Sequence, residues 1–196
     1  MIMKQKIINI FKESIAVKER FLDENIDTII EVSVLLADTF SKGNKLILFG
    51  NGGSASDASH IAAEFVNRFK MERPAFPAIA LNTDTAVLTS IANDYDYDNI
   101  FERQLKAFAQ AGDAVIAIST SGTSPNVIKA VEAAKSKRLK TIVFTGAKGD
   151  KLASLADYVF AVPSDNTPRV QETHIVLGHV LCQMVEEIIF ESHRKR

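Results

Sequence analysis

From residue 45 onward the chain repeats one unit: a short, almost continuously apolar run, a loop, then a segment with helical spacing. The runs are Leu46 to Phe49, Ala78 to Leu81, Ala114 to Ile118, Thr141 to Phe144 and Tyr158 to Val162. A strand with one wet face alternates apolar and polar residues. Runs that do not alternate have both faces covered, as in a parallel sheet lying between helices. Five such runs separated by helical segments predict an α/β fold, a three-layer α/β/α sandwich on a five-stranded parallel sheet. In sheets of this kind ligands bind beyond the carboxyl ends of the strands.

A chain of 196 residues suffices for one well-cored domain, here 1–196. Residues 1–42 predict two N-terminal helices ahead of the sheet. Ile7, Phe11, Ile15 and Leu22 recur at helical steps, and Ile26, Ile29, Leu36 and Phe40 do so after a break near Asp23. Gly43 sits where helices commonly end. A last helix is expected from about Pro168 to Glu191, with Val170, Leu177, Leu181, Met184 and Ile188 inward. Apolar residues make up 46% and the net charge is -1, so the chain is globular and lacks the broad basic field that nucleic acid demands. Cys182 is the lone cysteine, which excludes an internal disulfide and fits a reducing, cytoplasmic setting. Lysines interrupt the first apolar runs, so the N-terminus reads as neither signal peptide nor membrane span. The basic tail His193-Arg194-Lys195-Arg196 reads as a solvated helix end.

The unusual residues cluster after the strands. Gly50-Asn51-Gly52-Gly53-Ser54-Ala55-Ser56-Asp57 follows the first run. Its glycines allow a tight turn or a close backbone approach to a ligand. Gly50, Gly52 and Ala55 fit a loose dinucleotide fingerprint, but the acidic residue expected about twenty positions on is missing. Ser119-Thr120-Ser121-Gly122-Thr123-Ser124-Pro125 follows the third run. Ser124 suits a helix N-cap and Pro125 the first turn. A helix N-terminus favours an anion, and hydroxyls with amides can hold a phosphate without lysine. If the segment after Ser54 is helical, His60 and Glu64 share one face and can pass a proton or bind a metal. Asn93-Asp94 lies in another loop, and Gln171 and His179 lie on the last helix. His174, also there, reads as structural.

Together these segments resemble the sugar isomerase (SIS) family and, more narrowly, its phosphoheptose isomerases. The resemblance spans nearly the whole chain. It is carried by Gly50 to Ala55, the His60/Glu64 pair, Ala92-Asn93-Asp94-Tyr95, Ile118 to Gly122, and Arg169-Val170-Gln171-Glu172 followed by His179. It implies an enzyme converting sedoheptulose 7-phosphate into D-glycero-D-manno-heptose 7-phosphate, toward the heptose of lipopolysaccharide or related surface glycans. It implies that Ser119, Thr120, Ser121 and Ser124 hold the phosphate. Asn51, Gly52, Gly53, Asn93 and Asp94 would contact the sugar, with Glu64 and Gln171 beside them. His60, Glu64, Gln171 and His179 would bind zinc, and Glu64, His179 and Asp57 would move protons. A homotetramer with sites at subunit contacts is implied too. The chain departs from some members at Pro168, where they carry an acidic residue.

A rival reading is a non-catalytic paralogue of the same fold that binds the replication initiator DnaA. That paralogue lacks the counterparts of Glu64 and His179, which are present here. Isomerisation of a different sugar phosphate is a third reading, since sugar length is not written in these loops. One geometric expectation follows from the last helix. Gln171 and His179 are eight residues apart, roughly 12 Å along a helix at about 1.5 Å per residue. That spacing favours taking His179 from a neighbouring chain, or starting the helix after Gln171.

Overall fold

The computed structural model describes residues 2–191; the basic tail at 193–196 lies outside the described residues. Strands β1 (Leu46–Gly50), β2 (Ala78–Ala80), β3 (Ala114–Ser119), β4 (Lys140–Gly146) and β5 (Tyr158–Val162) form one sheet in the order β2-β1-β3-β4-β5. Every adjacent pair is parallel. Each expected run is a strand. β1 and β3 are buried along their whole length, which is why their sequences do not alternate.

The helices are α1 (Ile2–Ser41), α2 (Gly53–Val66), α3 (Thr85–Asp94), α4 (Ile100–Phe108), α5 (Pro125–Ser136), α6 (Asp150–Ala153) and α7 (Thr167–Glu191). Successive strand residues feed two cores. Leu46, Leu48, Ile116 and Ile118 pack with residues of α1, α2 and α7, whereas Ile47, Phe49, Val115 and Ala117 pack with α3, α4 and α5. The period of two along each strand thus builds the three layers. α7 is long and apolar enough to cross a membrane by composition, yet Val170, Leu177, Leu181 and Val185 lie in the core beside α1 and α2.

The expected N-terminal pair is instead a single helix of 40 residues. Nothing near Asp23 breaks it: the stretch holds no Gly or Pro, and the Asn25 side chain donates back to the Phe21 carbonyl. The apparent break is a second apolar stripe. Val17, Phe21, Ile29, Val32, Leu36 and Phe40 face the core, while Ile7, Phe11, Ile15, Leu22 and Ile26 are exposed. Ile26 belongs to the exposed stripe and Ile29, Leu36 and Phe40 to the buried one, so the expected second helix draws on both.

β1 lies between β2 and β3, so the chain leaves the two central strands in opposite directions. The loops after β1 and β3 therefore open side by side at the carboxyl edge, where this topology leaves a crevice.

Candidate active site

Two helices begin at that crevice. α2 starts after Gly52, whose φ of 56° is a left-handed value suited to glycine, and no side chain caps it. α5 starts with Ser124 in the N-cap position and Pro125 in the first turn, as expected. Ser124 does not cap it, however. Its hydroxyl faces that of Ser119 at 3.1 Å. The ends of two buried strands thus carry helix N-termini without side-chain caps, an arrangement suited to an anion.

The loops are stitched together. Asn51 and Asn126 exchange two amide hydrogen bonds of 2.9 Å, and the Tyr97 hydroxyl donates to Asn51 at 3.2 Å. The Asn51 side chain thus ties the loop after β1 to α5 and to Tyr97. Gly122, at φ 65°, packs on the backbone of Gly149, and the Gly146 amide donates to the Thr120 carbonyl at 3.0 Å. This contact seats the serine loop against the loop after β4. A cavity of about 330 Å³ opens there, lined in part by Thr120, Ser121, Thr123 and Lys148. Lys148 pairs with Asp165 at 2.8 Å. Asn126, Tyr97 and Lys148 were not singled out from the sequence, because their importance comes from contacts across the fold.

α2 and α7 run alongside each other in the same direction. An ideal Cβ on Gly53 would strike the Gln171 amide, and one on Gly178 would strike Ile61. His179 accordingly meets His60 and Glu64. One donor atom from each of His60, Glu64 and His179 lies within 4.8 Å of the others. His60 Nε2 is 3.0 Å from Glu64 Oε1, and the imidazoles of His60 and His179 meet edge to face at 5.1 Å. Three of the four anticipated zinc ligands are thus together in one chain. This corrects the expectation that His179 comes from a neighbour or that the helix starts after Gln171, since α7 already begins at Thr167. α2 runs parallel to α7, so Gln171 packs on Gly53 at one end of α2 while His179 meets His60 and Glu64 further along it. Pro168 lies in the first turn of α7, where its fixed φ is compatible with a helix.

Asp57 lies one turn before His60 on α2, half-buried, with Oδ2 closed off from solvent and unpartnered. Burial pushes its pKa up to about 6, against the opposing pull of His60. Asn93 and Asp94 do not lie in a loop as expected but form the last residues of helix α3, exposed and hydrogen-bonded to each other at 2.9 Å. Among the described residues no hydrogen bond ties them to the other candidates. His174 is structural, as expected: it is buried and its Nε2 lies 3.2 Å from the Thr145 carbonyl.

The SIS domain family matches residues 10–146. Phosphoheptose isomerase of Thermodesulfovibrio yellowstonii is 62% identical over 96% of this chain and 94% of its own length. The chain belongs to the phosphoheptose isomerases of the SIS family. Another phosphoheptose isomerase, from Aquifex aeolicus, is 51% identical over 96% of this chain and 99% of its own. The solved phosphoheptose isomerase of Neisseria gonorrhoeae superposes with a TM-score of 0.89 at 37% identity, covering 94% of this chain and 99% of that one. That of Francisella tularensis gives 0.91 at 34%, covering 95% and 100%. These isomerases match nearly the whole chain. The DnaA-binding reading finds no support beside them.

Proposed function

We propose that this chain interconverts sedoheptulose 7-phosphate and D-glycero-D-manno-heptose 7-phosphate through an enediol, supplying heptose for surface glycans. The observation that carries the reading is the convergence of His60, Glu64 and His179 in one chain. Moving a proton between C1 and C2 requires a base, an acid for the oxygens and stabilisation of the developing charge. Glu64 and His179 are the pair assigned to the proton transfers. Asp57, with its pKa near 6, can hold or release a proton close to neutrality and shares that work.

The phosphate end is assigned to Ser119, Thr120, Ser121 and Ser124, at the open N-terminus of α5. The sugar would then extend past Gly52 and Gly53 toward α2, with Gln171 beside Gly53. Asn93 and Asp94 keep their assignment as sugar contacts through the family resemblance alone.

His60, Glu64 and His179 also suit zinc, since two imidazole nitrogens and a carboxylate oxygen form a donor set typical of that ion. Gln171, on the same helix as His179 and packed on Gly53 at the start of α2, keeps its assignment as a fourth ligand through the family resemblance. Zinc bound there would supply Lewis-acid stabilisation of the substrate oxygens. A homotetramer is proposed as well. The exposed stripe of Ile7, Phe11, Ile15, Leu22 and Ile26 on α1 supports it, being apolar area that the chain itself leaves uncovered. A cytoplasmic location accords with the free, buried Cys182.

Glu64→Gln tests the assignment. It keeps the size of the side chain and removes its charge, and turnover should drop by about a hundred- to ten-thousand-fold with the fold intact. Near-wild-type turnover would remove Glu64 from the mechanism.

A further inference from the structure

His179 reaches the site from α7 without a hydrogen bond to either ring nitrogen among the described residues. A reacting or ligating histidine is ordinarily oriented by a partner on its second nitrogen. Two rings pack against it here. His60 meets the imidazole of His179 edge-on, and Phe69 stacks on it with centroids 5.4 Å apart and planes 29° from parallel.

Phe69 lies in the loop after α2, and the loop is firmly anchored. The Glu186 carboxylate on α7 accepts the backbone N–H of Phe69 at 2.9 Å, of Lys70 at 2.9 Å and of Met71 at 3.0 Å. It also accepts Arg73 Nε at 2.8 Å, in an ion pair whose side chains are 0% and 1% exposed. Burial raises the Glu186 pKa, but the bonds from Phe69, Lys70, Met71 and Arg73 outweigh it and hold the carboxyl below its usual range. The remaining Arg73 nitrogens donate to the Phe65 carbonyl at 2.8 Å and the Glu64 carbonyl at 2.9 Å. One buried pair therefore fixes the backbone of Glu64 and the ring that faces His179.

We propose that Phe69 is a positioning residue for His179, held against it by the Arg73–Glu186 pair. This deepens the isomerase reading and rests on it for the reacting role of His179. Breaking a buried pair from one side is strongly destabilising, so Arg73 and Glu186 are poor places to test the idea. Phe69 is only partly buried, and its replacement leaves the anchor in place because the bonds to Glu186 come from backbone.

The experiment compares wild type, Phe69→Ala and Phe69→Tyr, each checked for an unchanged melting temperature. The first readout is the NMR signals of the His179 imidazole in metal-free protein. Phe69→Ala should broaden or split them as the ring samples several rotamers, and Phe69→Tyr should keep them single and sharp. The second is Co2+ affinity by titration, expected to fall about ten- to a hundredfold in Phe69→Ala and to recover largely in Phe69→Tyr. The third is turnover of sedoheptulose 7-phosphate, with kcat falling over the same range and KM nearly constant. Unchanged His179 signals in Phe69→Ala would overturn the proposal, as would failure of Phe69→Tyr to recover them. If the wild type does not turn over the sugar, the isomerase reading fails, while the His179 signals still decide what Phe69 does.

Discussion

His174 gives the protein an acid-sensitive joint between α7 and β4. The ring is fully buried between α7 and β4, with Nε2 facing the Thr145 carbonyl and Nδ1 without a partner. Burial pushes its pKa down from the ordinary 6.5 to about 4, the bond to Thr145 offsetting only part of the effect. The unfolded chain takes up a proton on this residue below about pH 6.5, and the folded protein does not until about pH 4. The contribution is therefore fully present above pH 6.5 and is lost as the pH falls toward 4. At about 1.4 kcal/mol per pH unit, that loss approaches roughly 3 kcal/mol. Asp57 acts in the opposite sense. Its folded pKa of about 6 exceeds the ordinary 3.8, so its contribution is fully present below 3.8 and is lost as the pH rises to 6. The two overlap between pH 4 and 6, so the wild-type curve alone does not isolate either. Urea unfolding of wild type and His174→Gln at intervals from pH 7.5 to 4 does. The stability difference between them should shift against the wild type by about 3 kcal/mol on acidification, whatever constant offset the substitution adds. A difference that stays flat with pH would refute the reasoning, because it would mean that His174 titrates alike in both states.

Ser121→Ala should raise KM more than it lowers kcat, since a phosphate grip is largely uniform binding, and inorganic phosphate should compete with substrate in the wild type. Equal binding of an analogue without the phosphate would count against the serine loop. Glu64→Gln and His179→Ala, unfolded and refolded together, should give mixed oligomers as inactive as either parent, because both residues serve the same site in one chain. Recovery of activity on mixing would place them in different subunits.

The sheet was legible because its signal is local. Continuous apolar runs such as Ala114 to Ile118, ended by glycine and hydroxyl residues, have few other uses in a chain of this length. The helix start after β3 was legible for the same reason, and so was the His60/Glu64 pair, which needs only a spacing of four, whereas α2 begins at Gly53, inside the stretch that reads as a glycine loop. The single helix α1 differs from the expected pair because its two apolar stripes carry the same period in different phase, and only contact with α7 and the sheet tells them apart. Gln171 and His179 were placed on the right helix, but their separation was resolved by the parallel run of α2, which no spacing within α7 reveals. Phe69, Arg73 and Glu186 left no local sign. Arg73 and Glu186 are 113 residues apart, and each alone looks like an ordinary surface charge.

Proton transfer between C1 and C2 of a seven-carbon sugar phosphate is read out by incubating the zinc-supplied protein with sedoheptulose 7-phosphate in D2O and following the sugar by NMR. An enediol exposes the migrating proton to solvent exchange, so the expected result is growth of aldose anomeric signals with deuterium entering at C2. A spectrum that remains purely that of the ketose would contradict the account, and an aldose formed without any deuterium would contradict its mechanism.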